Sequence, residues 1–242
     1  MAAKPKRSPM SESAIAKRAS PAAKRASPVT RGEQLENRCQ KFVEVAEQLF
    51  IERGFAGTSV NEVVRRAGGS LATLYSQYGN KEVLFEAVMN RRSGLLFDGI
   101  FPDGGGRKAR KADVADELVQ LGRCLQAHMF SSSSLGVFRL AVHEGPKFPS
   151  VRNAVLNNGL QVFLKRLADY LAGFKDRLDI PDPHRAAEEF LTLIQGQQRT
   201  IAACGDLDRI TRRQREDHVK RAVEIFLHVY PALPSAAKRG GR

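Results

Sequence analysis

Cysteine is scarce in this chain: three in 242 residues, Cys39, Cys124 and Cys204, far apart and odd in number. Such spacing builds no disulfide framework and suits free thiols in a reducing compartment. No CxxC or HxxxH pair stands ready to hold a metal. No apolar run approaches the ~20 residues a membrane helix needs. The basic N-terminus lacks the apolar segment of a secretory signal. The chain therefore reads as cytoplasmic, with no membrane partner. Period-2 alternation is missing too, so no sheet is expected. The pair His143-Glu144 has no Ser/His/Asp arrangement or nucleophile elbow beside it. The run Gly104-Gly105-Gly106 lacks the strand and the Lys-Ser/Thr of a phosphate-binding loop. Enzyme, metal and cofactor readings are set aside on these grounds.

What the chain does have is positive charge and helical periodicity. The net charge is +13, unevenly spread. Residues 1–32 carry +7, 33–82 carry −1, 83–112 carry +3, 113–233 carry +1 and 234–242 carry +3. The excess sits in the two ends and one loop, and it favours a polyanionic partner. Residues 1–32 are rich in Ala, Ser, Pro and Lys/Arg, and AKRASP at Ala16–Pro21 returns at Ala23–Pro28. That composition buries too little surface to fold alone. Two readings stay open: a solvated tail, or a basic arm along phosphates or in a minor groove.

From Glu33 to Arg53 the pattern is helical, with Leu35, Cys39, Phe42, Val43, Ala46, Leu49 and Phe50 on one stripe. Gly54 ends that helix. Val60, Val63, Val64 and Ala67 then form the apolar face of a short second helix. Ser59 and Glu62 have the spacing of a capping box. Gly68 and Gly69 stop it, Ser70 can cap a third helix, and Leu74 and Tyr78 tie that helix to the core. Asn80 caps a longer helix from Lys81 to about Ile100, with Leu84, Val88, Leu95 and Leu96 apolar. Two short helices around a glycine turn make a helix-turn-helix, whose second helix enters the DNA major groove. Phe101–Asp113 reads as a flexible basic loop. Beyond it, helices are expected over 113–130, 133–144, 150–173, 183–204 and 211–229, the fourth opening on Asp182-Pro183.

TSVNEVVRRAGGSLATLYSQYGNKEVLF, with the preceding Leu49-Phe50 and Gly54-Phe55, resembles the DNA-binding signature of TetR-family transcriptional repressors. Thr58-Ser59, Ala67-Gly68, Thr73-Leu74-Tyr75, Tyr78 and Asn80-Lys81-Glu82 carry the likeness. Gly69 stands where the family usually has an apolar residue, and Ala72 where glycine is common. FRLAVHEGPKFP and DPHRAAEEFLTLIQGQQ look like the C-terminal domain of the AefR-like subgroup. The resemblance implies an all-α fold: a three-helix helix-turn-helix DNA-binding domain at 33–82 and a larger helical ligand-binding and dimerisation domain at 83–232. Basic tails at 1–32 and 233–242 flank the two.

By the same resemblance, Thr58 and Ser59 contact phosphate at the start of the second helix, and Tyr75, Gln77 and Lys81 contact phosphates around the third. Ser70, Leu71, Ala72 and Thr73 lie where the family reads bases. Only Thr73 and Ser70 offer polar readers, so direct readout is modest and DNA shape assists. In the family the last two helices pair with their copies in a second subunit. Val219, Ala222, Val223, Phe226, Leu227 and Tyr230 form one suitable stripe, and Ala187, Phe190, Leu191, Ile194 and Ile201 another. Both could instead bury into the chain's own core. Family members commonly bind a small molecule among the C-terminal helices. Cys124, His128, His143, Gln195 and Gln198 are candidate contacts, with Cys204 near; the plainer reading of each is a satisfied core or surface residue. The expected function is a homodimeric repressor on a pseudo-palindromic operator, released by a small-molecule effector. The alternative is an architectural DNA binder of low specificity acting through its basic tails.

Overall fold

The computed structural model describes residues 30–100 and 113–233. The readings made on residues 1–29, Phe101–Ala112 and 234–242 lie outside them. Helix α1, Arg31–Gly57, begins earlier than the apolar stripe suggests because Thr30 caps it. The Thr30 hydroxyl accepts from the Glu33 N–H at 3.2 Å, and the Thr30 N–H donates back to the Glu33 carboxylate at 2.6 Å. Phe42, Val43, Ala46, Leu49 and Phe50 are buried, as the stripe predicts. Leu35 is not: it is 43% exposed. The third helix meets α1 at Cys39, where the Tyr78 hydroxyl donates to the backbone carbonyl at 3.1 Å. Leu35 lies a turn N-terminal of that contact.

Gly54 breaks α1. Its φ of 76° and ψ of 172° fall in a region that essentially only glycine occupies. The turned backbone drops Phe55 into a cluster with Phe50 and Phe85, ring centroids 5.1 to 5.6 Å apart. Helix α2, Val60–Ala67, follows, then α3, Leu71–Tyr78, and α4, Lys81–Ile100. Ser70 caps α3 by accepting from the Thr73 N–H at 3.1 Å, and Asn80 caps α4 by accepting from the Val83 N–H at 2.8 Å. The expected Ser59–Glu62 capping box does not form. Glu62 instead accepts from Arg65 at 2.7 and 2.8 Å and from Arg66 at 2.9 Å, one turn along the same helix. Two guanidinium donors win its carboxylate, because charge-assisted bonds outweigh a bond to a neutral amide.

These helices share one core with parts of the chain much further on. Val63, Leu74, Leu84, Phe85 and Val88 pack with Leu140, Val151 and Ala154. On α4, Leu84 and Val88 are buried as expected, whereas Leu95 is exposed.

The second body holds α5 (Val114–Met129), α6 (Ser132–Glu144), α7 (Pro149–Asn153), α8 (Val162–Ala172), α9 (Pro183–Ala203) and α10 (Arg212–Val229). Its core includes Leu118, Leu125, Leu167, Phe190 and Phe226. Asp182 caps α9 from the residue before Pro183, accepting from His184 and Arg185 N–H groups. A capping box does form at Thr211 and Gln214. The single helix expected over 150–173 is interrupted by a π-helical segment, Ala154–Gln161. The Ser93 hydroxyl on α4 donates to the Asn158 carbonyl there at 2.6 Å. α9 is also broken, at Gly196 (φ 48°, ψ −168°). The His218 Nε2 lies 2.9 Å from the Leu193 carbonyl and 3.2 Å from that of Ile194, so the imidazole donates to carbonyls just before the break. Among the described residues there is no strand, only an isolated antiparallel bridge between Leu178 and Ala232. The fold is all-α, with an N-terminal helix-turn-helix and a larger helical C-terminal part.

Two glycine substitutions test this account of α1 and α4. A Cβ at Gly54 would lie 2.1 Å from a Glu144 oxygen and require a backbone alanine avoids. Gly54→Ala should lose about 1–3 kcal/mol of unfolding free energy in urea. Gly94→Ala, on α4 with open space around it, should gain roughly 0.5–1 kcal/mol. Equal effects would contradict the assignment.

Candidate nucleic-acid interface and internal cavity

The turn between α2 and α3 is set by Gly68 (φ 75°) and Gly69 (φ 113°). A Cβ at Gly69 would meet the Phe42 ring at 3.0 Å and Arg38 at 3.2 Å. Glycine thus suits this position, where an apolar side chain is usual, because α1 lies close beneath it. The turn presents α3 outward. Ser59, Ser70, Leu71, Ala72, Tyr75 and Gln77 are all exposed. Leu71 is 39% and Tyr75 49% exposed, although Leu74 between them is fully buried. Thr73 is half-buried, its hydroxyl 2.8 Å from that of Ser70.

Two expected phosphate contacts are turned inward instead. Thr58 is buried, and its hydroxyl donates to the Gly54 carbonyl at 2.7 Å. The Lys81 ammonium donates to the Phe55 carbonyl at 2.7 Å and the Thr58 carbonyl at 3.0 Å, and sits 4.5 Å above the Phe55 ring. Burial pulls its pKa down. Both side chains secure the corner between α1 and α2, Thr58 buried and Lys81 half-buried. From the other side, the Glu144 carboxylate on α6 accepts from the Ala56 N–H at 3.0 Å. Arg65 was missed as a candidate. It is well exposed, on α2, and held by Glu62; the basic doublet Arg65-Arg66 is its signal in the sequence. The paired guanidinium groups of Arg65, then Arg66, lower the Glu62 pKa to about 2.

A cavity of about 170 Å³ lies between α4 and the second body, lined from α4, α5, α6, the π segment, α8 and α9. Of the five ligand candidates it takes in only His128. Cys124 is half-buried on α5, with Gln120 4.0 Å away as its polar neighbour. His143 is exposed and Gln195 is half-buried elsewhere. Gln198 bonds Gln126 and the Gln214 carbonyl, and lines a separate groove with Cys204 between α9 and α10. The cavity's other polar residues, Arg92, Ser93, Ser134 and Arg199, were not anticipated. Arg199 stands two turns from Leu191, which also lines the cavity, but the break at Gly196 between them leaves no periodic signal.

Within the cavity wall, the His128 Nε2 is 3.0 Å from the Ser134 hydroxyl. Burial first, then the charges of Arg92 and Arg199, push the His128 pKa down to about 4. Arg92 is multiply bonded: it pairs with Glu47 on α1 and also holds Ser133 and Ser134 at the start of α6. Its neighbour Arg91 pairs with Glu44 at 2.9 Å and Glu47 at 3.1 Å. Among the described residues no group of three or more His, Cys, Asp or Glu could hold a metal, and no helix is long and apolar enough to cross a membrane.

Residues 42–88 match the family model for bacterial regulatory proteins of the tetR family. Residues 116–232 match the model for the C-terminal domain of AefR-like transcriptional repressors. The chain belongs to the TetR family of transcriptional regulators. A regulator of the helix-turn-helix type from Bacillus subtilis (strain 168), uncharacterised YvkB, is 23% identical over 78% of this chain and 94% of its own. A TetR-family structure from Mesorhizobium loti MAFF303099 aligns with a TM-score of 0.71 at 24% identity, covering 83% of this chain and 98% of that one. The flavonoid-responsive regulator FrrA aligns at 0.64 and 25%, covering 83% and 100%. TetR-family proteins are regulators, not enzymes.

The half-buried His128 gives this TetR-family chain a testable pH dependence. His128 stays neutral in the folded state down to about pH 4, whereas the unfolded chain takes up a proton near the ordinary 6.5. Between those values the unfolded state binds more protons, so stability falls as pH drops from 6.5 to 4. His128→Gln should flatten that part of the thermal-midpoint profile. An unchanged slope would place the titration elsewhere.

Proposed function

We propose that the chain is a transcriptional repressor that binds a pseudo-palindromic operator as a homodimer in the cytoplasm and is released by a small molecule. Residues 33–82 serve as the reading head, and 83–232 as the dimerisation and effector-binding part. The observation that carries the DNA reading is the exposed surface of α3. Leu71 and Tyr75 stand uncovered beside Ser70, Ala72 and Gln77, on a helix whose opposite face is locked by Leu74. Ser70 to Thr73 read bases, while Ser59, Tyr75, Gln77 and Arg65 hold phosphates. Thr58 and Lys81 contribute by fixing the angle at which α2 and α3 leave α1.

Dimerisation is supported by α10. Ile225 is 37% and Val229 56% exposed, on a helix whose other side, with Val219, Val223 and Phe226, is fully occupied by the chain's own core. Two half-sites on one operator require a second head at fixed spacing. The effector reading is supported by the cavity, and by FrrA, whose name makes it responsive to flavonoids. An effector that favours one head spacing shifts the population away from the operator-competent state. Arg92 supplies a route for this coupling, since it borders the cavity and pairs with Glu47 on α1. The architectural reading is favoured by one observation, the concentration of charge in residues 1–32 and 234–242.

Selection from a random duplex library at physiological salt separates the two. The shortened protein should begin at Thr30, which keeps the α1 cap. Recovery of one inverted repeat by both proteins is expected; sequence-indifferent binding that is lost on shortening would favour the architectural reading. On the recovered operator, Tyr75→Phe should weaken binding roughly 3–10-fold on every sequence, from loss of one hydrogen bond. Thr73→Ala should change base preference at matched salt. In sedimentation equilibrium Val229→Asp should shift the protein to monomer; a variant that stays dimeric would remove α10 from the interface.

A further inference from the structure

We propose that the cavity takes a compact apolar molecule bearing a single carboxylate, of aromatic or medium-chain type, and that Arg199 is the partner of its charge. The inference rests on the effector reading above and names the effector's chemistry.

Three observations carry it. The first is the charge of the lining. It contains Arg92 and Arg199, with Ser93, His128 and Ser134, and no carboxylate among the described residues; the remainder is mostly apolar. The second is that the two arginines are not equivalent. Arg92 already has Glu47 and two serine hydroxyls. Arg199 has neither ion pair nor hydrogen bond among the described residues. Its Nε is buried without a partner. Its guanidinium lies 4.6 Å from the Phe138 ring centroid, and burial lowers its pKa. A half-buried cation against an aromatic face, with its Nε out of water and unpaired, keeps unused donor capacity for an anion. A ligand carboxylate arriving there finds an unused donor, while Ser134 and neutral His128 stand on the same wall. The third is size. About 170 Å³ compares with the ~150 Å³ apolar cavity that accepts benzene. One ring or a medium alkyl chain, plus a carboxylate, is the scale that fits.

The groove between α9 and α10 is a weaker ligand site. Its lining includes Gln198, Cys204, His218 and Arg221, and it carries the carboxylates of Asp206 and Asp217 as well.

The test uses the full chain with trans-cinnamate and octanoate, each against its primary amide, by calorimetric titration. The amides keep the shape and lose the charge. The expected result is that at least one acid binds roughly tenfold or more tightly than its amide, the gain of a charge-assisted bond. Arg199→Met should bring that ratio close to one with the amide affinity little changed, and Arg199→Lys should keep it. Arg199→Met removes a buried charge while keeping volume, so it is expected to fold; Arg199→Gln repeats the test if it does not. Equal binding of acid and amide, no binding by either acid, or a ratio untouched by Arg199→Met would each overturn the proposal. Operator binding measured in parallel keeps the two readings apart. Specific operator recovery without acid binding removes this inference and leaves the regulator reading standing. Acid binding without operator recovery does the reverse.

Discussion

The reading head depends on how the end of α1 is held. A helix end leaves backbone groups without partners, and buried ones must find them. Here the break at Gly54 turns the chain, and three side chains meet the groups it releases. Lys81 donates to the Phe55 and Thr58 carbonyls, Thr58 to the Gly54 carbonyl, and Glu144 accepts from the Ala56 N–H. Lys81 opens α4 and Glu144 closes α6, so the corner joins the reading head to the second body. Phe55 packs on Phe50, Phe85 and Phe148 beneath it. The corner from which α2 and α3 leave α1 is thus bonded by both α4 and α6.

This constraint explains what was legible in the sequence. Patterns that depend on near neighbours read correctly: the apolar faces of α1 to α3, the glycine turn, the Ser70, Asn80 and Asp182 caps, and helices close to the expected limits. Errors arose where a distant or competing group decides. Ser59 and Glu62 have capping-box spacing, but Arg65 and Arg66 on the same helix take the carboxylate. Lys81, expected only as a phosphate contact, also donates to carbonyls at the end of α1. No local pattern reveals that, because the carbonyls are brought there by the Gly54 break. Leu35 obeys the helical period but lies beyond the point where α3 crosses.

The cavity was least legible for the same reason. Its lining is drawn from five helices and a π segment, and two departures from regular helix shape it. The π segment contributes Val155, Gly159 and Leu160. Such widened turns often mark functional sites, but they have no composition of their own. The Gly196 break redirects the last turns of α9, so Arg199 cannot be placed by extrapolating the stripe of Phe190 and Ile194. Glutamines and cysteines on apolar helices attract attention as polar exceptions. In this fold, Gln198 is satisfied by neighbouring polar groups, and Cys124 lies outside the cavity lining.

Cavity and head are connected by ion pairs as well as by packing. Arg91 and Arg92 hold Glu44 and Glu47, so α4 is pinned to α1 by charges on adjacent turns. Arg92 also binds the first turn of α6 through Ser133 and Ser134, and α6 ends at Glu144 on the corner. A ligand in the cavity therefore borders one end of α6, while the other end grips the reading head. Filling the cavity can alter operator affinity only if the ligand binds the two head arrangements unequally. On the proposed effector reading, the shared position of Arg92 would supply that inequality. Any anion close enough to draw on Arg92 competes with Glu47 in the arrangement described here, and would bind more tightly in one where the α1–α4 pairing has loosened. By reciprocity, an operator that favoured the paired arrangement would weaken such a ligand by the same factor. Arg199, which pairs with nothing on α1, would anchor such a ligand without that penalty, so that under the proposal the division of labour between the two arginines would set how strongly occupancy is felt at the DNA.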